Sequence, residues 1–369
     1  MTEFTSVGTD MALTEWKTLE RAASPLECVV QMDELLQEVI RPFDYTSTGI
    51  ESFYPYLVPK GLPTDYGIGV IVGASGTGKS TLLKEFGVSK PIVWNSNLAI
   101  ASHFNSPEDA VERLSAAGLM SVPEWVKPFQ VLSNGQQFRA GLARSLYTGA
   151  VLDEFTSVVD RNVAKAASTA MARYVRRNDI KQITIATCHR DVLEFLEPDW
   201  VIDTDRGEWT SGRYLQRPKL VLKIYPCSKL LWEYFAKHHY LSESLNKASH
   251  CYMALWEGKV VGFSSVMAYP SGTVKEAFRE HRLVVHPDYQ GFGFGPRISE
   301  AVANHYTENG KRFFSKTSHP RLGEYRDNSA KWNPTSKNHM RRTDGKSKTT
   351  RWELNNQRWS YSHEFVGNV

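Results

Sequence analysis

A glycine-rich segment constrains this 369-residue chain more than any other stretch. Gly73–Ser80 reads GASGTGKS and follows the apolar run Ile68–Val72. Its glycines allow consecutive backbone N–H groups to turn towards a phosphate, and a helix predicted in TLLKEFG, from Thr81, adds the positive end of its dipole. The spacing predicts a buried strand, a phosphate-binding loop and a helix, in that order.

Within this loop, each residue type suits a separate task. We expect Lys79 to reach the β- and γ-phosphates of a nucleotide and the Ser80 hydroxyl to ligate Mg²⁺. The alternative is a chance glycine-rich turn, against which the flanking strand and helix argue. The other predicted nucleotide contacts are Gly73, Ser75, Gly76, Gly78 and Thr81.

The rest of the first half alternates strand-like and helical segments. An apolar segment at residues 150–152 precedes a helical stretch at Arg161–Arg176 and a β-rich run at Gln182–Thr187. This alternation predicts a parallel α/β sheet. Gly207–Lys219 interrupts it with two glycines and a proline, which predicts a domain boundary there.

Four short motifs follow the phosphate-binding loop. They are LSNGQQ at Leu132–Gln137, VLDEF at Val151–Phe155, SVVD at Ser157–Asp160, and His189 at the end of ITIATCH. Taken singly, an Asp-Glu pair is more often a solvated acidic turn, and a histidine after a strand more often a structural residue. Their order along the chain outweighs these single interpretations.

In this order the motifs resemble the P-loop, signature, Walker B strand, D-loop and switch histidine of ABC-type ATPases, over about residues 65–205. The resemblance implies that Asp153 holds Mg²⁺ and that Glu154 polarises the attacking water, with His189 as a further catalytic residue. It also implies an ATP-dependent homodimer, in which the signature contacts the nucleotide of a second subunit. The additional nucleotide contacts it implies are Ser133, Gly135, Gln136 and Asp160.

The chain departs from that family in a few places. Asn134 stands where a glycine is usual, and only 54 positions separate Lys79 from Ser133, which implies a short helical subdomain. Asn95 or Asn97 replaces the Q-loop glutamine. An adenine-stacking aromatic is expected before the P-loop, and Tyr54 is the candidate.

The second half carries a different pattern. Cys251–Trp256, a turn at Glu257-Gly258 and Val260–Ala268 predict a β-hairpin. Arg282–Val285 is predicted as a strand, and a helix is predicted from Pro296 to Tyr306.

Between that strand and that helix lies a second glycine-rich loop. HRLVVHPDYQGFGFG, His281–Gly295, resembles motif A of GNAT-type acetyltransferases, and the resemblance spans about residues 225–318. It implies that small residues expose backbone N–H groups at a helix N-terminus to the pyrophosphate of acetyl-CoA or another acyl-CoA, and that the Val285 strand binds the pantetheine arm. A tight strand-to-helix turn is the alternative. The residues that match Q/R-x-x-G-x-G/A are Gln290, Gly291, Gly293 and Gly295.

Acyl transfer to an amine requires a base and an acid that protonates the departing thiolate. Glu280, just before the motif strand, is the predicted base, and Tyr306, at the end of the following helix, is the predicted acid. His319 and Tyr325 are the alternatives. Residues of these types are also common on ordinary surfaces.

Charge is divided unevenly between the halves. Residues 1–217 carry a net −6 and residues 218–369 a net +10. The segment Lys331–Trp359 alone is +6 and interleaves Trp332, Trp352 and Trp359 with its basic residues. Such a segment suits a nucleic acid, through counterion release and base stacking. A solvated basic tail that packs its tryptophans on the domain is the alternative.

The compartment is predicted from cysteines and hydropathy. Four cysteines without a CxxC pair indicate reduced thiols and a cytoplasmic, soluble protein: Cys28, Cys188, Cys227 and Cys251. No signal peptide or membrane-spanning run is expected, so direct membrane insertion is not predicted.

Together these patterns predict an α/β chain with a P-loop ABC-type ATPase domain at 61–210, followed by an α+β GNAT-like acyltransferase domain at 218–330. Residues 1–60, with a predicted helix at Pro25–Ile40, have no assigned role, and 331–369 form a basic C-terminal extension. The predicted function is ATP hydrolysis coupled to acyl-CoA-dependent N-acylation of a large, nucleic-acid-like acceptor. One alternative is a nucleic-acid-associated ATPase clamp with an inactive GNAT-like binding module. The other is a soluble energising subunit of a transporter.

Overall fold

A computed structural model describes residues 15–43, 45, 47–213, 215–239, 244–270, 274–342 and 358–367. The described residues fall into two compact units. The P-loop unit lies within Thr9–Trp94 and Gln137–Pro218, and the C-terminal unit within Asn95–Gln136 and Lys219–Val369. The predicted domain limits stay a prediction, but residues 95–136 group with the second half of the chain.

The strands follow one another along the whole chain. In chain order they are β1 (Lys17–Thr18), β2 (Leu26–Val29), β3 (Ile50–Phe53), β4 (Ile68–Val72), β5 (Val151–Leu152), β6 (Ile183–Thr187), β7 (Trp200–Asp203), β8 (Glu208–Ser211), β9 (Lys223–Pro226), β10 (His250–Trp256), β11 (Lys259–Ala268), β12 (Ala277–Val285), β13 (Arg312–Thr317), β14 (Trp332–Pro334), β15 (Met340–Arg342) and β16 (Arg358–Phe365).

The helices alternate with these strands. In chain order they are α1 (Glu34–Ile40), α2 (Lys79–Leu83), α3 (Pro107–Ala116), α4 (Val122–Trp125), α5 (Asn134–Ser145), α6 (Arg161–Arg177), α7 (Leu193–Leu196), α8 (Trp232–Ala236), α9 (Phe294–Glu308) and α10 (Pro320–Asp327). Among the described residues, no helix is long and apolar enough to cross a membrane.

The P-loop unit is built on a sheet of order β1-β8-β7-β4-β6-β5. β4 is parallel to both β6 and β7, and β5 is parallel to β6, which confirms the predicted parallel sheet. All five residues of β4 are buried, as expected for a parallel strand that is covered on both faces. The indole of Trp200 packs between the rings of Tyr66 and Phe86, so aromatic contacts complete this core.

The helix predicted at Pro25–Ile40 is wrong in its first half. Leu26–Val29 forms β2 and pairs antiparallel with β3, with Leu26 opposite Phe53. The helix begins only at Glu34, because the Asp33 carboxylate accepts the Leu36 N–H at 2.8 Å and so caps it there. A β-branched pair, Val29 and Val30, favours the strand before the cap.

The predicted boundary segment Gly207–Lys219 belongs in part to the first sheet. Residues 208–211 form β8, antiparallel to β7, with Trp200 opposite Ser211. Two glycines in this segment have positive φ, 66° at Gly207 and 93° at Gly212, because they close the turns on either side of β8. The P-loop unit therefore continues to Pro218.

The C-terminal unit is built on a sheet of order β14-β16-β13-β12-β11-β10-β9. The predicted hairpin is confirmed as β10 and β11, with His250 opposite Val266. Its turn residues Glu257 and Gly258 have φ of 48° and 78°, as two-residue hairpin loops of type I′ require.

The predicted basic extension contributes to this same sheet. β16 pairs with β13 and β14, and Trp332 is 3% exposed between Phe313 and Phe365. The expectation that Trp332 is available for stacking on bases is therefore wrong, because its ring belongs to the core. Trp352 lies outside the described residues, as do the side chains of Arg341, Arg342 and Trp359.

Candidate nucleotide and acyl-CoA sites

The P-loop connects β4 to α2 in a conformation that requires glycine. Gly76 and Gly78 have φ of 82° and 89°. A β-carbon on Gly73 would lie 2.1 Å from Thr204 Oγ1, so a larger residue would not fit there. Gly78 is the N-cap of α2 and supplies no side chain, which leaves the first turn of the helix open to a phosphate.

Two side chains that follow β7 hold this loop in place. Asp205 Oδ1 accepts the Ala74 N–H at 2.7 Å, and the hydroxyls of Thr77 and Thr204 lie 2.7 Å apart. Lys79 Nζ donates to the Ala74 carbonyl at 2.6 Å, so the ammonium lies within the loop.

The guanidinium of Arg190, the residue after His189, binds two carboxylates at the end of β7. It donates to Asp203 Oδ1 at 2.9 Å and to Asp205 Oδ2 at 2.7 Å. The hydrogen bond that Arg190 donates to Asp203 is the main cause that raises the pKa of Arg190. Burial acts to raise the pKa of Asp203, but the hydrogen bond from Arg190 and the backbone donors hold it below its usual value. Sequence reasoning missed this group, although acids directly after the apolar run WVID were a signal.

The acidic pair after β5 lies in a strained turn. Asp153 and Glu154 are both exposed, and Asp153 Oδ1 accepts the Glu154 N–H at 2.8 Å. Glu154 and Thr156 have φ of 48° and 68°, in the left-handed region that β-branched residues avoid. The turn is held because the Phe155 carbonyl accepts from Thr187 Oγ1 at 2.8 Å. Backbone strain of this kind concentrates at functional sites.

His189 lies beside this turn. Its Nδ1 is 3.0 Å from Thr156 Oγ1, and burial, followed by the charge of Arg161, lowers its pKa. Asp160 caps α6 by accepting the Asn162 N–H at 2.8 Å, which occupies one of its oxygens. Because β4, β6 and β5 are parallel neighbours, the P-loop, His189 and Asp153 follow the carboxyl ends of adjacent strands.

These residues suit a Mg²⁺ ion that arrives with a nucleotide. Ser80 is exposed at the start of α2, and Asp153 is exposed after β5. No group of three or more His, Cys, Asp or Glu in the described part of the chain could hold a metal ion by itself. Mg²⁺ typically takes one or two protein ligands and completes its shell with phosphates and water, so the residues present fit.

An aromatic ring covers the P-loop, and it belongs to Phe53. A β-carbon on Gly78 would come within 2.4 Å of the Phe53 ring. The predicted stacking residue, Tyr54, is the next residue along the chain and is 47% exposed. Successive side chains of a strand point to opposite faces, which explains why Phe53, and not the neighbouring Tyr54, faces the loop.

The signature segment begins α5 and lies in the C-terminal unit up to Gln136. The Gln136 side chain accepts the Ser133 N–H at 3.0 Å, in the manner of a capping box. Ser133 is exposed and Gly135 is half-buried. Of the two candidates for the Q-loop position, Asn95 Oδ1 accepts the Asn97 N–H at 2.9 Å, so these side chains shape a local turn.

The second glycine-rich loop opens α9. Gly291 and Gly293 have φ of 114° and 79°, and Gly293 is the N-cap without a side-chain cap. Gly295 follows in the first turn of α9, and a β-carbon there would be in ordinary contact with Val285, at 3.8 Å. The arrangement presents a helix N-terminus directly after β12, as a pyrophosphate requires.

β12 pairs with β13 over only the first third of its length. Parallel pairing of β12 with β13 covers only Ala277–Arg279, and β13 then continues beside β16. A β-bulge interrupts the pairing of β12 with β11 at His281, since Ser265 is opposite Arg282 and Val266 opposite Glu280. Within described residues 274–342, the edge of β12 from Glu280 to Val285 is thus not paired with β13. A pantetheine arm needs such an unpaired edge.

The Gln290 side chain is engaged within the protein. Its Nε2 donates to the Val285 carbonyl at 3.1 Å, and its Oε1 accepts the Met120 N–H at 2.9 Å. Gln290 is 8% exposed. The structure therefore gives the side chain of this predicted cofactor contact a role in holding the loop.

Glu280 lies where β12 and β13 separate. Its Oε2 accepts from Ser315 Oγ at 2.7 Å and from Arg326 Nη2 at 2.8 Å. Its other oxygen, Oε1, is buried without a hydrogen-bond partner among the described residues.

The candidate acids form separate clusters. Tyr306 is 6% exposed, with its Oη 2.8 Å from His250 Nδ1 and 3.1 Å from the Tyr252 hydroxyl. Tyr325 donates to Glu300 Oε1 at 2.5 Å. Burial, then these hydrogen bonds, raises the pKa of both phenols, which keeps them protonated.

His319, the other alternative, lies at the N-cap of α10. Its Nε2 is 3.3 Å from the Met120 carbonyl, and burial lowers its pKa. The ring therefore faces the segment that ends in the signature.

One comparison identifies the family of the second glycine-rich loop. Residues 219–324 match the model of the acetyltransferase (GNAT) family. This part of the chain therefore carries a GNAT acetyltransferase domain. No curated protein matches the sequence.

Solved structures resemble each half. An acetyltransferase of Bacillus subtilis in complex with CoA is 12% identical, over 40% of this chain and 98% of that one, with a TM-score of 0.30. The ribosomal-protein-S18-alanine N-acetyltransferase of Escherichia coli is 14% identical, over 40% and 96%, with a TM-score of 0.28. A dimeric post-hydrolysis state of an ATP-binding cassette bound to ADP and Pi is 17% identical, over 43% and 89%, with a TM-score of 0.32. Scores this low assign no function, so the family match carries the assignment of residues 219–324.

Proposed function

We propose that this chain hydrolyses Mg-ATP on its P-loop unit and transfers an acyl group from acyl-CoA to an amine on its C-terminal unit. The observation that carries the second activity is the glycine turn Gly291–Gly293. It opens α9 directly after β12, within the residues that match the GNAT family.

For ATP hydrolysis, the site geometry supports a division of roles. The loop amides and Lys79 bind the phosphates, and Ser80 and Asp153 hold Mg²⁺, which supplies charge neutralisation when bound. Glu154 orients the attacking water. The lowered pKa of His189 favours a neutral imidazole near pH 7, and its N–H would donate a hydrogen bond to the terminal phosphate.

For acyl transfer, the amine nitrogen of the acceptor attacks the thioester carbonyl carbon, a C–N bond forms and the C–S bond breaks. The amine proton passes to Glu280 Oε1, and the CoA thiolate takes a proton from a tyrosine hydroxyl. Tyr306 is our candidate for that acid, and Tyr325 is the alternative.

The acceptor we propose is large and polyanionic, with nucleic acid as the leading class. The support is electrostatic: residues 218–369 carry a net +10, against −6 for residues 1–217. A basic surface attracts phosphate backbones through counterion release. For base stacking we propose Trp352 and Trp359.

The proposed assembly is an ATP-dependent homodimer. Ser133 is exposed at the start of α5, as a residue that contacts the nucleotide of a second subunit needs to be. Its N–H is already held by Gln136, so its hydroxyl and the Gly135 backbone are the groups left for that contact.

The test is label transfer from radioactive acetyl-CoA in the presence of Mg-ATP, with duplex DNA, single-stranded RNA and a lysine-rich protein as separate acceptors. Label in a nucleic acid supports the full proposal. Label in the protein alone keeps the acyltransferase and removes the nucleic-acid acceptor. ATP hydrolysis stimulated by nucleic acid without any label transfer would favour the ATPase clamp with an inactive GNAT-like module.

A further inference from the structure

The peptide group of Met120 is bound on both sides by the GNAT domain. Its N–H donates to Gln290 Oε1 at 2.9 Å, and its carbonyl lies 3.3 Å from His319 Nε2. Gln290 belongs to the glycine-rich loop, and His319 precedes α10. A single peptide of residues 95–136 therefore contacts both the acyl-CoA loop and the helix that carries Tyr325.

The chain presents this peptide from a fixed turn. α3 ends in a Schellman motif, in which Gly118 has φ of 80°, the Gly118 N–H bonds the Ser115 carbonyl, and the Leu119 N–H bonds the Leu114 carbonyl at 2.9 Å. Leu119 is fully buried, and its carbonyl accepts from Trp125 Nε1 at 2.7 Å. The orientation of Met120 is thus set by residues on both sides of it.

Further contacts join the same segment to α10. The rings of Trp125 and His319 lie 6.2 Å apart, and Arg321 is 3.8 Å from Glu112. These contacts tie α3 and α4 to the start of α10. Movement of residues 107–125, which include Met120, would therefore also displace the start of α10.

Gln290 transmits the position of Met120 to the loop. Its amide nitrogen holds the Val285 carbonyl at the end of β12 while its oxygen holds Met120. Gly291 and Gly293 follow immediately, so both ends of the predicted pyrophosphate site depend on this side chain. Without the Met120 N–H, a buried amide oxygen would lose its partner and the Gln290 rotamer would lose a restraint.

We propose that Leu119–Ser121 position the acyl-CoA loop through Gln290, and that this contact links acyl-CoA affinity to nucleotide binding. The link follows because the same segment continues to Ser133–Gln136, the predicted signature, and enters α5. The inference rests on the proposed function. Linkage is reciprocal, so acetyl-CoA must change the affinity for ATP by the same factor.

The experiment uses full-length Glu154→Gln protein, in which ATP stays bound. Calorimetry gives the Kd for acetyl-CoA without nucleotide and with saturating Mg-ATP, and the Kd for ATP with and without acetyl-CoA. We expect each affinity to change by about five-fold or more, equally in both directions. Met120→Pro removes the N–H that Gln290 accepts, whereas Met120→Leu keeps it and serves as the matched control.

In Met120→Pro the nucleotide-dependent change should shrink to less than about two-fold, and Met120→Leu should behave as the parent. Gln290→Met removes the same bond from the other partner, together with the bond to the Val285 carbonyl, so the double variant should lose no more than Gln290→Met alone. If Met120→Pro fails to fold, the Gln290→Met result decides alone.

Three results separate the possible failures. Acetyl-CoA binding that ignores ATP in the parent protein overturns the inference and leaves the proposed function intact. A nucleotide-dependent change that survives in both Met120→Pro and Gln290→Met keeps the linkage but overturns the assigned contact, and with it the proposal. No acetyl-CoA binding in any state overturns the proposed function itself.

Discussion

Glu280 and Arg326 form a buried ion pair in the C-terminal unit, with Oε2 and Nη2 2.8 Å apart. Arg326 also donates to Ser299 Oγ at 2.8 Å, and its guanidinium lies 4.5 Å from the centre of the Trp332 ring. The pair joins β12, α9, α10 and β14 at the point where β12 leaves β13. It therefore fixes the position of the predicted base.

Removal of Arg326 should destabilise the protein strongly. Arg326→Met leaves the Glu280 carboxylate buried without its cation, which typically costs about 3–5 kcal/mol in the free energy of unfolding. Urea denaturation measures this change. The exposed pair of Arg312 with Glu364 supplies a control, since Arg312→Met should cost no more than about 1 kcal/mol. Equal losses in the two variants would contradict the structural role of the buried pair.

Glu154→Gln should retain ATP binding, abolish turnover and trap a dimer, because the amide keeps the shape of the side chain but no longer polarises the attacking water. Phosphate release and size-exclusion chromatography with Mg-ATP measure these outcomes. Glu194→Gln, an exposed change in α7, should hydrolyse ATP at the parent rate. Normal hydrolysis in Glu154→Gln would show that the Walker B assignment is wrong.

Asp205→Ala should weaken ATP binding about ten-fold, because the Ala74 N–H and the Arg190 guanidinium both lose a charged acceptor worth roughly 1.5–3 kcal/mol. Nucleotide titration of the full chain measures the Kd. Asp65→Asn removes an exposed acid of the same unit that pairs with Lys181, and should leave the Kd unchanged. If the two variants bind ATP equally well, the hydrogen bond from the Ala74 N–H to Asp205 does not hold the P-loop in its binding conformation.

Stability should fall as the pH falls below about 6.5, in part through His239. Burial, then the charges of Arg282 and His281, lowers the pKa of His239 from 6.5 to about 4. Between these values the unfolded chain binds more protons than the folded chain, so this contribution is complete above pH 6.5 and is lost as the pH falls to 4. In His239→Gln the free energy of unfolding should depend less steeply on pH in that window. An unchanged slope would show that His239 titrates alike in both states.

Charge reversal at Arg341 and Arg342 should weaken binding to duplex DNA and make it less sensitive to salt, because two phosphate contacts would be lost. Fluorescence anisotropy at several salt concentrations measures both effects. Charge reversal at Arg213 and Arg217, in the P-loop unit, is the comparison of equal charge. Equal effects in the two variants would mean that net charge alone governs binding.

The sequence predicted the parts of the fold whose signals are local. The strand Ile68–Val72, the hairpin at residues 250–268 and the helix at Arg161–Arg177 follow from periodicity and turn residues. β16 was missed because its partner β13 lies 40 or more positions earlier in the chain and its alternation is masked by charged residues. Pairing between distant segments leaves no trace in a local pattern.

The predictions of site residues divide in the same way: local signals were found, and contacts between distant segments were missed. Four glycines of the two loops were found because few other residues tolerate their positive φ: Gly76, Gly78, Gly291 and Gly293. Asp205, Phe53 and Met120 were missed because each acts through a contact far along the chain, as the 131 positions between Ala74 and Asp205 show. The roles of such residues follow from tertiary contacts and cannot be read from a sequence motif.

The most direct test of the account is calorimetric titration of the full chain with acetyl-CoA, with and without Mg-ATP. Gly293→Glu places a charged side chain at the N-cap of α9, and Gly258→Glu, in the β10–β11 turn, imposes a similar positive φ, 78° against 79°, away from the loop. The account predicts saturable binding in the parent and in Gly258→Glu, and its loss in Gly293→Glu. Absence of binding in the parent under every nucleotide condition would contradict an acyl-CoA site and leave the C-terminal unit as a recognition module.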